Sequence, residues 1–295
     1  MKIAIAGSSG LIGQALVESL REEGHEVFRI VRRPSTAQTE VTWNPDSGTI
    51  DLAKLEGAQV LINLAGAGVG DRRWSKTYKN LIHSSRVNST RTISKAAIAI
   101  KPDVLINASA IGWYGDTAEL EVTESTSAGQ GFLAEVVRDW EKETEVAQDA
   151  GIRVVKIRTG LVVAQGGGAW AKLLPIFKLG LGGKLGSGKQ YWSFISLRDE
   201  IAAIKFIIAN EQISGAVNLT APNPATNAQV TKAMGKVLRR PTFFLVPAFI
   251  LKIVLGEFSI EVLGSTRVKP AVLLAKGFQF SDPDITSALH TLTQK

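Results

Sequence analysis

Three glycines near the start of the chain are spaced as a phosphate-binding loop requires. Gly7, Gly10 and Gly13 follow a short apolar run and precede residues with helical spacing. The first glycine permits a tight turn, the second lets the backbone approach a pyrophosphate, and the third lets helix and strand pack closely. A turn without ligand is the alternative, but the strand and helix around it favour a dinucleotide site. The expected contacts are Gly7, Ser9, Gly10, Leu11, Ile12 and Gly13.

Two arginines follow the second predicted strand, residues 27–31, where the choice between NAD and NADP is usually made. NAD sites carry Asp or Glu at this position to bond the ribose 2′-hydroxyl. Arg32 and Arg33 stand there instead. A guanidinium bonds two phosphate oxygens at once, so the position predicts NADP(H) as cofactor. The alternative interpretation is a pair of surface arginines.

Predicted strands and helices alternate through the first half of the chain. A phosphate-binding loop that joins a strand to a helix is expected in such an arrangement. Apolar runs of strand length occur at 2–6, 27–31, 60–64, 104–108 and 154–157, and helical spacing occurs at 11–20, 90–100 and 136–147. This alternation predicts an α/β fold, a Rossmann-type doubly wound parallel sheet.

The character of the sequence changes after Gly160. Glycines are dense between 166 and 188, which predicts loops, and the pairs Ser196/Asp199 and Thr226/Gln229 predict helix starts. A last helix is expected to begin at Asp282-Pro283. We therefore divide the chain into a cofactor-binding domain, 1–165, and a smaller C-terminal α/β substrate-binding subdomain, 166–295, with segments that weave back to the first sheet.

Composition narrows the function classes further. The 295 residues include 45% hydrophobic and 21% charged residues and no cysteine, which predicts a packed core and excludes disulfides and a cysteine nucleophile. The three histidines are isolated, so no metal site is predicted. The net charge of +7 fits attraction of a phosphorylated ligand or a solvated basic surface. Because no basic block or known motif occurs, nucleic acid is not an expected partner.

No membrane partner is expected either. The longest apolar stretch, 243–256, is too short to cross a bilayer and is interrupted by Pro247 and Lys252. The N-terminus leads directly into a strand and not into a signal peptide, so a cytoplasmic location is predicted.

Several motifs together resemble the extended short-chain dehydrogenase/reductases, and more closely the NAD-dependent epimerase/dehydratase-like "epimerase family" branch. The similarity covers nearly the whole chain and rests on the glycine loop, on Asn63-Leu64-Ala65-Gly66, on Ser109-Ala110-Ile111-Gly112-Trp113-Tyr114-Gly115, on Asp139-Trp140-Glu141, on Arg158-Thr159-Gly160-Leu161-Val162 and on Asn218-Leu219-Thr220-Ala221-Pro222.

The resemblance implies roles for individual residues. Leu64, Ala65 and Gly66 correspond to strand-end backbone that contacts the cofactor, and Arg86 to a further cofactor contact of this branch. Ser109 matches the family's catalytic serine or threonine and is also expected beside the cofactor. The segment that begins at Arg158 resembles the one that passes the nicotinamide.

One motif of the superfamily is missing. Its enzymes use Tyr-x-x-x-Lys, in which the lysine lowers the pKa of the tyrosine so that it exchanges protons with the substrate. The corresponding segment, residues 131–138, contains neither tyrosine nor lysine. Tyr114, five residues after Ser109, is the nearest replacement as proton donor, with a bound water as the other option.

Two functions remain open from the sequence. The first is an NADP(H)-dependent oxidoreductase or nucleoside-sugar-epimerase-like enzyme that acts on a hydroxyl or carbonyl of a small, sugar-like molecule. The second is a non-catalytic NADP(H)-binding redox sensor or scaffold, favoured by the missing Tyr and Lys. Ser109 favours the enzyme. A homodimer is the oligomeric state typical of such folds.

Overall fold

The computed structural model describes residues 1–293. Its strands are β1 (Lys2–Ala6), β2 (Glu26–Val31), β3 (Glu40–Asn44), β4 (Thr49–Ile50), β5 (Val60–Asn63), β6 (Val104–Ala110), β7 (Glu121–Val122), β8 (Val154–Thr159), β9 (Leu161–Val163), β10 (Gly183–Leu185), β11 (Tyr191–Trp192), β12 (Phe194–Ser196), β13 (Gly215–Leu219), β14 (Ala225–Thr226), β15 (Phe244–Val246) and β16 (Arg267–Val268).

The α-helices are α1 (Leu11–Glu22), α2 (Leu52–Leu55), α3 (Lys76–Ile100), α4 (Phe132–Lys142), α5 (Glu145–Asp149), α6 (Gly168–Lys178), α7 (Leu197–Ala209), α8 (Asn227–Leu238), α9 (Ala248–Leu255), α10 (Ser259–Leu263), α11 (Ala271–Ala275) and α12 (Ile285–His290). Short 3-10 helices occupy Ile111–Tyr114 and Gly256–Phe258. No helix within 1–293 is both long and apolar enough to cross a bilayer.

The central sheet has eight strands in the order β13-β8-β6-β5-β1-β2-β3-β4. Every neighbouring pair is parallel except β3 and β4, which are antiparallel at one edge. Parallel strands bury both faces and therefore need helices on both sides. One core cluster packs α1 and α7 on the first face, and another packs α3 on the second. The predicted doubly wound α/β sheet is confirmed.

Residues after 165 contribute both to the central sheet and to a second, separate hydrophobic core. Strand β13 joins the central sheet beside β8, and α7 packs against α1. Helices α6, α8 and α12 instead form a separate core with β9 and β12 that includes Trp170, Phe194 and Met234. The chain therefore leaves the central sheet after β8, rejoins it at β13 and then leaves it again.

Two predictions of local structure are confirmed and three are wrong. Ser196 accepts a hydrogen bond from the Asp199 amide, and Thr226 forms a capping box with Gln229. The segment 166–188 contains α6, because Trp170 and Phe177 bury one helical face despite the flanking glycines. The predicted helix 136–147 is divided into α4 and α5, and the last helix begins at Ile285 because Asp284, not Asp282, is its N-cap.

Candidate active site

The predicted site residues lie along one edge of the central sheet. Gly7 follows β1, Arg32 follows β2, and Leu64 follows β5, while Ser109 and Arg158 lie near the ends of β6 and β8. Because these strands are parallel, their carboxyl ends meet at the same edge, which is where open α/β sheets bind ligands. The fold therefore brings together positions that are far apart in the sequence.

Two of the three loop glycines are required by the protein's own packing. Gly7 has φ +76°, and a Cβ there would lie 2.5 Å from the Leu64 carbonyl carbon. A Cβ on Gly13 would overlap the carbonyl oxygen of Gly7. These two glycines let β1, β5 and the start of α1 come together, as the spacing predicts.

Gly10 differs from the other two because the protein leaves space beside it. It is the N-cap of α1 with φ −78°, and a Cβ there would lie 3.4 Å from its nearest neighbour, the Gly7 oxygen. No side chain caps the amide groups of this helix end. Ser9 is exposed at the turn, whereas Leu11 and Ile12 are half-buried. The open space and free amides fit a pyrophosphate.

The two arginines after β2 are in different electrostatic environments. Arg33 donates two hydrogen bonds of 2.8 and 2.6 Å to the buried Glu40 carboxylate, which also accepts from Arg29 at 2.7 Å. These contacts, with Arg33 as the largest cause, hold the pKa of Glu40 well below its usual range. Arg32 is exposed and makes no ion pair within residues 1–293. Arg32 is thus the guanidinium available to an added phosphate.

A buried amide pair holds the backbone that follows β5. Asn63 donates from Nδ2 to Asn107 Oδ1 at 2.8 Å, and its Oδ1 accepts from the Ala65 amide at 3.2 Å. Both asparagines are fully buried and stand opposite each other in β5 and β6. They orient Leu64, Ala65 and Gly66 at the sheet edge.

Arg86 places a second unpaired guanidinium in this region. Its Cγ would lie 3.3 Å from a Cβ on Gly66, and its guanidinium stacks over Trp140 at 5.1 Å. Nη1 donates to the Ile82 carbonyl oxygen at 3.0 Å, and no carboxylate of the described chain pairs with Arg86. Burial lowers its pKa to about 10, so it remains charged at neutral pH. This cation suits a polar ligand group lying over Gly66.

Ser109 belongs to a buried network of charged and polar groups. Its Oγ donates to Glu141 Oε1 at 2.6 Å, and Arg158 donates to both Glu141 oxygens at 2.8 and 3.0 Å. Ser109 and Arg158 are register partners on β6 and β8, and α4 carries Glu141 over them. All three side chains are almost fully buried. The serine oxygen therefore keeps its lone pairs for a further donor.

Tyr114 is joined to the same network from the other side. Its hydroxyl donates to Asn218 Oδ1 at 2.7 Å and accepts from Arg158 Nη1 at 3.1 Å. Burial, opposed by the hydrogen bond from Arg158, raises the pKa of the Tyr114 phenol above its usual value. The proposed proton-donor role of Tyr114 stays a prediction, since the hydroxyl is already engaged within the protein.

The segment in place of Tyr-x-x-x-Lys is used for packing. Leu133 and Val137 on α4 lie against Gly112, where a Cβ would be 3.3 Å from Leu133 Cβ. Phe132 packs edge-to-face on Trp74, with ring centroids 5.0 Å apart. These side chains carry no group that transfers a proton.

Two segments of the chain match known protein-family profiles. Residues 3–220 match the NAD-dependent epimerase/dehydratase family, and residues 246–292 match a domain of unknown function, DUF1731. The first match covers well over half of the chain. The chain belongs to the NAD-dependent epimerase/dehydratase family. The resemblance inferred from the motifs is therefore confirmed.

Individual members of the family resemble this chain over its full length. An epimerase family protein of Mycobacterium bovis is 45% identical over 294 residues, 99% of this chain and 98% of that protein. The crystal structure of human epimerase family protein SDR39U1 with NADPH has a TM-score of 0.90 at 30% identity, covering 98% of both chains. A nucleoside-diphosphate sugar epimerase from Corynebacterium glutamicum has a TM-score of 0.81 at 35% identity, covering 99% of this chain and 58% of that one.

Some residues of this epimerase-family site received no role from the sequence. Glu141 and Asn218 stood out only as parts of motifs, and Asn107 only as part of a strand. Glu200 on α7 was not singled out. It is fully buried, Oε1 accepts from Thr159 Oγ1 at 2.8 Å, and Oε2 has no partner within 1–293. Burial raises its pKa to about 8, so it holds a proton at neutral pH. A polar residue within an apolar strand or helix is the signal that marks such positions.

No group of three or more metal-ligating side chains occurs within residues 1–293. His83 instead contacts Asp139 on the protein surface at 2.7 Å.

Proposed function

We propose that the protein is an NADP(H)-dependent oxidoreductase or sugar-epimerase-like enzyme that acts on a hydroxyl or carbonyl of a small molecule. The cofactor part rests on the fit of the site: space beside Gly10, free amides at the start of α1, and the unpaired cations Arg32 and Arg86. The NADPH in the human relative's crystal structure supports the same choice. When bound, this cofactor supplies or accepts a hydride.

The observation that carries the enzymatic part is the bond from Ser109 Oγ to Glu141 Oε1 at the sheet edge. A substrate hydroxyl that donates to Ser109 Oγ loses its proton to that oxygen, while the serine proton passes to Glu141. The substrate carbon could then give up a hydride to the oxidised cofactor, which the start of α1, Arg32 and Arg86 would hold, and a carbonyl would remain. In the reverse direction the same protons return to the new hydroxyl. Glu141 would thus serve as base where the family's tyrosine is missing.

Replacing Arg32 with alanine is expected to weaken NADPH binding by about 1.5–3 kcal/mol, the range for hydrogen bonds to charged groups. NADH lacks the 2′-phosphate and should bind nearly as before. Arg33→Ala, which removes a charge already compensated by Glu40, should cost less. Titration of both cofactors measures the effect, and equal affinity for NADPH and NADH in the unaltered protein would contradict the assignment.

The enzymatic proposal is tested by a screen of NADPH oxidation against carbonyl compounds. We expect slow carbonyl reduction that falls as the pH rises, because this direction consumes a proton that must reach the new hydroxyl through Ser109. The opposite reaction, oxidation of an alcohol with NADP⁺, releases a proton and should rise with pH. The buried Tyr114 phenol, whose pKa is raised, stays protonated at neutral pH and is therefore a poor base for that oxidation. Ser109→Ala should remove most of the activity and Tyr114→Phe should reduce it. Fast turnover at pH 7 that survives both substitutions would show that other residues do the chemistry.

A non-catalytic NADP(H) sensor or scaffold is the second candidate. It is favoured by Leu133 and Val137, which fill the helix face opposite Gly112 with groups that cannot transfer protons. NADPH binding without turnover across the carbonyl screen, at any pH, would support this candidate over the enzyme.

A further inference from the structure

Helix α9 exposes the apolar side chains that an amphipathic helix would normally bury. Phe249, Ile253 and Val254 are 63%, 68% and 63% exposed, and Leu251 is the one residue of this helix that is buried. Isolated exposed apolar residues are common, but a contiguous group marks a contact surface. The unpartnered helix is therefore a candidate docking site.

Neighbouring segments extend this apolar surface. Strand β15 pairs with β10 and leads directly into α9, and a Cβ on Gly180 would lie 3.5 Å from Pro241, so the segment after α6 meets the segment between α8 and β15. Phe243 is 89% exposed and Leu179 is 74% exposed. We call the resulting surface the apolar face, formed by Leu179, Phe243, Phe244, Phe249, Ile253 and Val254.

The segments that form the apolar face are strongly basic. Residues 166–190 and 227–256 contain nine of the chain's 34 lysines and arginines and none of its 27 aspartates and glutamates. All nine side chains are exposed, and none forms an ion pair within the described residues. The remainder of the chain has slightly more acidic than basic residues. The protein's excess positive charge is thus concentrated in the two segments that carry the apolar face.

We propose that the apolar face docks on an anionic membrane surface. Aromatic and aliphatic side chains at the centre would enter the headgroup boundary, while Lys178, Arg239, Arg240 and Lys252 would meet lipid phosphates. Eight residues of α9 are too few to cross a bilayer, so the helix would lie on it. The expectation of no membrane partner rested on the lack of a spanning segment, which does not address a peripheral contact.

The charge distribution favours lipid over the other occupants. In a symmetric dimer the same patch meets itself, so two unpaired basic rims would be brought together and repel each other. Nucleic acid would meet the basic side chains but would leave the apolar centre without a partner. An anionic bilayer satisfies both parts of the surface.

Co-sedimentation of the full chain with vesicles tests this proposal. With phosphatidylcholine vesicles containing about one-third phosphatidylglycerol we expect about tenfold tighter binding than with phosphatidylcholine alone, and weaker binding as salt increases. Phe249→Ser with Ile253→Ser should reduce binding about tenfold, and Arg239→Glu with Arg240→Glu should do the same.

Matched controls lie outside the apolar face. Leu120→Ser alters another highly exposed apolar residue, and Lys95→Glu alters an exposed lysine on α3; both should bind vesicles normally. Equal binding to neutral and anionic vesicles, or unchanged binding of the face variants, would overturn the proposal. A dimer seen by light scattering that Phe249→Ser dissociates would assign the face to a second copy, and retention on DNA without vesicle binding would assign it to nucleic acid.

Discussion

Gly10→Val is expected to abolish NADPH binding while the protein stays folded. The valine side chain would occupy the space beside the start of α1 where the pyrophosphate must approach the backbone. The loss should exceed about a thousandfold in affinity, because the ligand and the side chain cannot share that volume. The cost to folding should be only about 1 kcal/mol, typical of a poor N-cap residue, because Gly10 has an ordinary φ of −78°.

Gly13→Val is the contrasting variant. Its side chain would collide with the backbone of Gly7, so it should lower the thermal midpoint as well as cofactor affinity. Fluorescence titration with NADPH and far-ultraviolet circular dichroism separate the two outcomes. Normal NADPH binding by Gly10→Val would show that the pyrophosphate lies elsewhere.

Glu141→Gln is expected to destabilise the protein by about 3–5 kcal/mol, because it leaves a buried guanidinium without its counter-ion. Arg158 is 3% exposed, and its hydrogen bonds and ion pair with Glu141 outweigh the desolvation that would lower its pKa, so the pKa is raised. The amide can still accept from Ser109 and Arg158, but it carries no charge and takes up no proton. Activity measured below the lowered melting temperature should therefore fall as well.

Glu143→Gln is the matched control, two residues further along the chain. Glu143 pairs with Arg91 at 2.7 Å on the surface, and solvent screening limits such pairs to roughly 0–1 kcal/mol. Urea unfolding of both variants gives the comparison. Similar small losses for both would contradict the importance of the buried pair. A stable Glu141→Gln variant with full turnover would remove Glu141 from the proposed proton transfer.

The Ser109→Ala variant distinguishes a loss of activity caused by the missing serine hydroxyl from one caused by unfolding of the site. The serine contributes one hydrogen bond to Glu141 and no charge, so its loss should cost about 1 kcal/mol and leave the Glu141–Arg158 pair in place. Loss of activity in a well-folded Ser109→Ala protein would then reflect chemistry at the serine oxygen and not collapse of the site.

The glycine spacing of the expected phosphate loop and the alternation of strands and helices can be recognised from the amino-acid sequence alone. The glycine spacing is local, because it lies within seven consecutive residues that run from the end of β1 into the first turn of α1. Alternating apolar runs likewise predict a doubly wound sheet, because parallel strands need crossover helices. The dense glycines between 166 and 188 wrongly predicted loops, because α6 lies there. Trp170 and Phe177 on this helix are buried in a core that includes α8, and this contact is distant in sequence.

Which polar side chains contact one another depends on the tertiary structure. Ser109, Glu141 and Arg158 meet because β6 and β8 pair in a register that aligns Ser109 with Arg158, and because α4 crosses above them. Arg32 and Arg33 look equivalent in sequence. The fold of residues 33–40 nevertheless places the Glu40 carboxylate against the Arg33 guanidinium, so that Arg33 is paired and Arg32 has no ion-pair partner within residues 1–293. Hydrogen bonds and ion pairs depend on distances of about 3 Å, which a chain sets by folding and not by spacing in sequence.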